Sequence, residues 1–354
     1  MKKLLIYPFD IETAPLARYA KMVEGYDAVI PVAEWSAWGD ADVIDASFYD
    51  GGHSVGINVT DDFEASVKQA DAVLFAGGIR DKPKASRYYS LSKELGMDAM
   101  VCESAFESLG ITHADCTAIA SKKYEAEVSA DSKLLSIPVP VVMVTGYGRQ
   151  CSKFDIQLGL RKRFQELGYT VCQVGTKEYS PMFDFQALPQ FPDEPMWRKT
   201  LLYNRFFRGI VINEKPDVLI VGAPGGTMPI DNQHHELFGE TAIAIALSLR
   251  PDLAIHSLYL SMVNDKNLSD LRNHARYALG MNIDCFHMSN TQMVFEQDRR
   301  TINYLTTDSD MVSKILEESS DELSEKLFSV FIPGTCSDAF DDMIMQLQNN
   351  IDAI

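Results

Sequence analysis

The chain has no run of eighteen apolar residues, which excludes a membrane-crossing helix of ordinary length. Its opening, MKKLLIYPFD, meets Pro8 and Asp10 before the apolar core of a signal peptide can form, so a cytoplasmic protein is expected. Paired cysteines are missing as well. Cys102, Cys116, Cys151, Cys172, Cys285 and Cys336 show neither a C-x-x-C spacing nor a Cys/His pair at zinc-finger distance, which predicts free thiols and no structural zinc. Positive charge is in deficit: 32 Lys and Arg stand against 50 Asp and Glu, a net charge of −18. Such a surface repels polyanions and argues against nucleic acid or an anionic membrane as the main partner. A local cationic pocket for one anionic metabolite is compatible with it. There is no internal repeat of 20–50 residues and no low-complexity tract.

What is present is alternation. At 354 residues the chain is long for one core, so two domains are expected, 1–120 and 121–354, with weak periodicity between 104 and 132 marking the boundary. In the first part, apolar runs at 3–9, 26–32, 55–60, 72–76 and 97–102 alternate with helical stretches at 17–23, 63–70 and 86–95, the second of these led by Asp61-Asp62 as an N-cap signal. In the second part, strands are predicted at 138–145, 169–174, 218–221, 253–260, 283–287 and 302–306. Helices are predicted after Lys153, in a long stretch ending near Asn213, and at 236–249, 268–279, 310–318 and 337–351. The fold class is therefore α/β, with two Rossmann-like doubly wound parallel-sheet units, and the glycine turn and lysine of Gly146–Lys153 make the second P-loop NTPase-like.

The stretch VPVVMVTGYGRQCSKFDIQLGLRKRFQEL carries the chemistry. An apolar strand runs into Gly146-Tyr147-Gly148-Arg149-Gln150-Cys151-Ser152-Lys153-Phe154, and a helix follows whose apolar positions Ile156, Leu160, Phe164 and Leu167 recur at three to four. Strand, glycine turn, lysine and helix are the parts of a phosphate-binding loop. Gly146 and Gly148 are expected to take positive φ and to bring backbone N–H groups close to the anion. Lys153 and the helix N-terminus would add positive charge. The G-x-x-x-x-G-K-[ST] pattern is met only in part, because Gly146 and Lys153 are seven positions apart, Ser152 replaces the second glycine and Phe154 the metal-binding hydroxyl. An ordinary βα turn is the plain alternative. A second glycine turn, Gly222-Ala223-Pro224-Gly225-Gly226, follows the apolar strand 218–221 and would face the same crevice.

The seven-residue spacing resembles the loop G-T-D-T-x-x-G-K-T of dethiobiotin synthetase and its relatives, and DVLIVGAPGGTMP resembles their E-G-A-G-G-x-x-x-P loop. That resemblance implies a Mg²⁺-binding glutamate where this chain has Val221, with Asp184 or Asp231 as replacements. EASVKQADAVLFAGG and YYSLSKELGMDAMVCES resemble the N-terminal half of a two-domain family with members tied to N-acetylation of D-amino acids. Over the whole chain, with TGYGRQCSKFDIQLGLRKRF and DVLIVGAPGG as the matched features, it resembles proteins encoded in clostridial peptide-maturation clusters. That likeness implies a place in ribosomal peptide natural-product biosynthesis beside other maturation enzymes.

The expected ligand is ATP or GTP, held by Gly146–Phe154 and by Gly222, Pro224, Gly225 and Gly226, with Lys153 and Arg149 in catalytic roles and Mg²⁺ left open. The expected function is nucleotide-dependent activation or modification of a peptide or amino-acid substrate. Acetyl-CoA held by the same loop, in an N-acyltransferase, and a non-catalytic peptide-binding scaffold are the alternatives. A homodimer is expected. His234-His235-Glu236 is a further candidate cluster, although adjacent residues on a turn point too far apart to chelate one metal. Cys151 is either a thiolate at a helix start or a small side chain in a crowded loop.

Overall fold

The computed structural model describes every residue except 36–43, 115, 120–127, 130, 297–299, 324–326 and 353–354. The expected domain boundary at 120/121 lies outside the described residues. By its contacts the chain divides into Met1–Ser121 with Lys177–Ala187, and Lys122–Thr176 with Leu188–Ile354. No helix among the described residues is long and apolar enough to cross a membrane.

In the first unit, parallel strands lie in the order 28–31, 3–7, 72–75, 98–101 and 117–118. Leu5 pairs with Ile30 on one side and Val73 on the other. Helix Lys82–Glu94 starts where the Asp81 carboxylate accepts the Lys84 N–H, with a proline in the first turn where its missing donor costs nothing. Its Tyr88 stacks on Phe63 at 4.1 Å between ring centroids, and Tyr7 and Phe75 meet that pair edge-on or tilted. The predicted cap at Asp62 is present, accepting the Ala65 N–H, although its helix stops at Val67.

In the second unit, the strands 171–175, 218–222, 141–146, 253–258, 285–288 and 327–328 lie side by side in that order, and the pairings among them are parallel. Strand Val141–Gly146 is central, with Leu219 beside Val141 and Ala254 beside Met143. Every residue of that strand is buried because both faces are covered, which is why it reads as an unbroken apolar run. Val141 and Met143 point into a core with Phe207 and Ile210 of helix Met196–Glu214 and Ile245 of helix Glu240–Leu249. Val142 and Val144 point the other way, to Ile156, Leu160 and Phe164 of helix Lys153–Glu166 and Met343 and Leu347 of helix Pro333–Asp352. Both units are Rossmann-like and doubly wound, and in the second the central strand, a glycine turn and a helix beginning at Lys153 follow one another.

Several elements differ from the sequence reading, among them the short strands 117–118 and 327–328, which it did not contain. Thr291–Phe295 is a strand, and it pairs antiparallel with Ile302–Thr306 in a half-exposed hairpin. Helix Asp265–His274 passes into a π-helical turn, 275–279, before Gly280 ends it in left-handed conformation. The predicted helix from Glu236 begins only at Glu240.

Candidate functional site

Three adjacent strands of the second unit end together. Strand 141–146 delivers Gly146–Lys153, strand 218–222 delivers the second glycine turn, and strand 253–258 delivers Tyr259. The carboxyl edge beside the central strand is where an open α/β sheet leaves a crevice.

The first turn is closed by side chains from its neighbours. Tyr147 N–H donates to the Ser257 carbonyl at 2.9 Å. The Tyr259 hydroxyl donates to the Arg149 carbonyl at 2.5 Å, the Thr291 hydroxyl donates to the Gln150 carbonyl at 2.8 Å, and the Ser257 hydroxyl donates to the Cys151 carbonyl at 2.5 Å. Tyr304, on the other hairpin strand, packs its ring 5.8 Å from that of Tyr259. The glycines serve space rather than positive φ, contrary to expectation. A Cβ on Gly146 would lie 2.5 Å from Cys151 Sγ, and one on Gly148 would lie 2.5 Å from the Tyr259 hydroxyl. The left-handed positions are Gln150 (φ 51°) and Ser152 (φ 56°). Ser152 stands where the usual loop has its second glycine, so the backbone there keeps the conformation that glycine favours. Cys151 is buried with its thiol 3.1 Å from the Gly148 carbonyl, as a small side chain in a crowded loop.

Lys153 joins the two turns. Its ammonium donates to the Gly148 carbonyl at 2.6 Å and to the Gly225 carbonyl at 2.5 Å. The approach is close elsewhere too, since a Cβ on Gly226 would lie 2.4 Å from the Tyr147 carbonyl oxygen, and one on Gly222 would lie 2.4 Å from Gln157 Oε1. Pro224 lies half-buried between these glycines. Phe154 and Val221 are both buried, and neither side chain offers a metal a donor atom.

Two histidines lie under the loop. Thr145 donates its hydroxyl to the Ile255 carbonyl, so it accepts from Nδ1–H of His256; Ser257 likewise accepts from Nδ1–H of His287, whose Nε2 accepts the Val330 N–H. Burial pushes both imidazoles down to about 3, with the Lys153 charge adding to the effect at His256. They are neutral struts of the turn across the physiological range.

The candidate metal ligands Asp184 and Asp231 belong to different units. Asp184 belongs to the first unit, in left-handed conformation after the turn Ser180–Phe183. The Asp231 carboxylate accepts the N–H groups of Gln233 and His234 and faces the His234 ring. Among the described residues no three His, Cys, Asp or Glu form a group able to hold a metal ion.

His234 ties this turn to the hairpin connection. Its Nδ1 lies 3.0 Å and 3.1 Å from the two Asp231 oxygens, and its Nε2 lies 3.0 Å from the Arg300 carbonyl. Both neighbours are acceptors, so only the imidazolium satisfies them together. The Arg300 carbonyl raises the pKa above the ordinary 6.5, burial opposes it, and Asp231 and then Glu236 add to the rise. A raised folded-state value means that the stabilisation is complete below about 6.5 and is lost as pH rises through the raised value. Amide exchange at 300–302, corrected for its intrinsic pH dependence, should therefore speed up across that rise, and His234→Gln should abolish the change. Protection in the native chain that ignores pH would refute a charged His234 tie to the Arg300 carbonyl.

Arg149 is 75% exposed, and its Nε lies 4.0 Å from Oε1 of Glu236, whose side chain is only 11% exposed. Glu236 Oε2 accepts the Gly226 N–H at 3.0 Å. Glu236, Leu237 and Phe238 are all left-handed, with φ of 44°, 49° and 55°, and Gly239 follows at 73°. Each non-glycine residue in that region costs about 1–2 kcal/mol, so the run needs tertiary contacts to persist. Sequence reasoning missed Tyr259, Thr291 and Tyr304. Tyr259 was within reach, because it directly follows a buried strand at the edge where ligands gather.

No family model and no curated protein matches the chain. Among solved structures, a DUF1611 family protein from Anabaena variabilis is similar at 10% identity with a TM-score of 0.63, covering 99% of this chain and 100% of that one. HypB from Helicobacter pylori, solved in complex with nickel, aligns at 15% identity with a TM-score of 0.35 over 60% of this chain and 88% of that one. A LAO/AO transport system kinase aligns at 13% identity with a TM-score of 0.32 over 61% of each chain. The likeness to the first, which spans both units, is one of fold.

Proposed function

We propose that the second unit binds the phosphate groups of a nucleotide, ATP or GTP, between Gly146–Lys153 and Gly222–Gly226, and that the bound nucleotide activates or modifies a peptide or amino-acid substrate. The observation that carries the nucleotide reading is the Lys153 ammonium, held by carbonyls of both glycine turns at the carboxyl edge of the central strands. A cation there, with loop N–H groups and a helix N-terminus, is what stabilises phosphate oxygens. Arg149, exposed beside the turn and 4.0 Å from Glu236, would swing from that carboxylate onto transferred charge. The place in peptide maturation comes from the sequence resemblance alone.

A second reading, an acyltransferase that grips the phosphates of acetyl-CoA, is favoured by Phe154 and Val221, because that chemistry needs no metal ligand at either position. A metal held only by ligand phosphates and water is held weakly. Thermal-shift titrations with ATP, GTP and acetyl-CoA, with and without Mg²⁺, separate the readings. Chelation with EDTA should cost less than about tenfold in affinity, roughly 1.4 kcal/mol, and Phe154→Thr should increase the metal dependence. Binding of ATP that vanishes with EDTA would show that another group ligates the metal. No shift with either nucleotide, but a shift with acetyl-CoA, would replace the first reading by the second.

A further inference from the structure

The second glycine turn already holds an anion, and the anion belongs to the chain. Glu236 Oε2 takes the Gly226 N–H, and a Cβ on Gly225 would come within 3.1 Å of the same oxygen. An N–H that donates to a carboxylate oxygen donates equally well to a phosphate oxygen. It cannot serve both, and two anions in one half-buried crevice repel.

The backbone that places this carboxylate is in a conformation its own sequence disfavours. The apolar pattern after Glu236 predicts a right-handed helix from that residue, yet residues 236–239 turn left-handed and the helix waits until Glu240. Burial of the side chains does not explain it, because Leu237 is 62% and Phe238 67% exposed, the Phe238 ring only stacking on that of His235 at 5.2 Å. What holds the turn is the Glu236–Gly226 bond, the Leu237 N–H donated to His235 Nδ1, and the seating of Gly239 against the Thr227 carbonyl.

Resting on the phosphate-site reading, we propose that Glu236 is a resident plug of that site. A ligand phosphate takes the Gly226 N–H, the Glu236 carboxylate leaves, and residues 236–239 relax toward the right-handed helix that follows, carrying Leu237 and Phe238 with them. Ligand binding is thereby coupled to a change in the apolar surface at the mouth of the crevice.

Inorganic pyrophosphate is the probe, titrated calorimetrically against the full-length protein. Glu236→Gln removes the competing charge and should raise affinity about tenfold, since a smaller share of the free protein is closed. Leu237→Gly with Phe238→Gly favours the left-handed turn and should lower affinity about threefold. Without ligand, Glu236→Ala should accelerate exchange of the Gly226 amide. Lys153→Ala, run alongside, reports on the site itself. If Lys153→Ala abolishes binding while Glu236→Gln leaves affinity unchanged or lower, the plug is overturned and the site reading stands. If pyrophosphate binding ignores Lys153→Ala, the site reading falls and the plug with it. Unchanged Gly226 exchange in Glu236→Ala overturns the plug whatever the titrations give.

Discussion

Lys153→Ala should weaken binding of ATP or GTP by about 1.5–3 kcal/mol, the range for a hydrogen bond to a charged group, or roughly 10- to 150-fold in affinity. The ammonium is half-buried between two carbonyls, and alanine deletes a cation that both glycine turns hold. Lys153→Met separates binding from folding, because it keeps most of the stem against the Gly146 backbone and loses only the charge. It should bind as poorly as alanine while its melting temperature stays near that of the native protein. Equal affinity of native and alanine forms in calorimetry would remove Lys153 from the site.

Gly239→Ala should destabilise the second unit by about 2–4 kcal/mol, the upper part of the range for single substitutions. Two independent penalties meet at this residue. Its φ of 73° is strained for any side chain, and an added Cβ would lie 2.1 Å from the Thr227 carbonyl oxygen and 2.5 Å from its carbon. The clashing atoms are backbone, so no rotamer change relieves them. Denaturant unfolding of the full-length protein measures the loss. Gly280→Ala is the control: it shares the positive φ, but its nearest neighbour would be a Leu247 methyl at 3.8 Å. Its cost should be about 1 kcal/mol, backbone conformation alone. Similar losses at both glycines would show that the close approach at 239 does not exist.

Much of the second unit could be read directly from the chain. Strands 141–146, 218–222 and 253–258 are buried on both faces, so most positions are apolar, the main exceptions being Thr145, His256 and Ser257, which are hydrogen-bonded. The two glycine turns were legible for a related reason. A backbone that approaches another backbone leaves no room for a Cβ, and glycine is the only residue that marks such a place. The hairpin strand 291–295 was missed because its residues are mostly half-exposed, which leaves a mixed pattern with no clear period.

Local pattern by itself thus determined the α/β class and the two glycine turns that meet at one crevice. It also misjudged some local causes, assigning positive φ to Gly146 and Gly148 when the loop places it on Gln150 and Ser152. What only the tertiary structure decided was which side chains close the crevice. Tyr259, Thr291 and Glu236 reach the loop residues Arg149, Gln150 and Gly226 from 110, 141 and 10 positions away. No period links residues so separated, and their placement follows from how strands and loops pack, which is a property of the whole chain. Glu236 shows the physical reason most clearly: its neighbours favour a right-handed helix, and one hydrogen bond to a distant turn, with a glycine seated against Thr227, holds it left-handed instead.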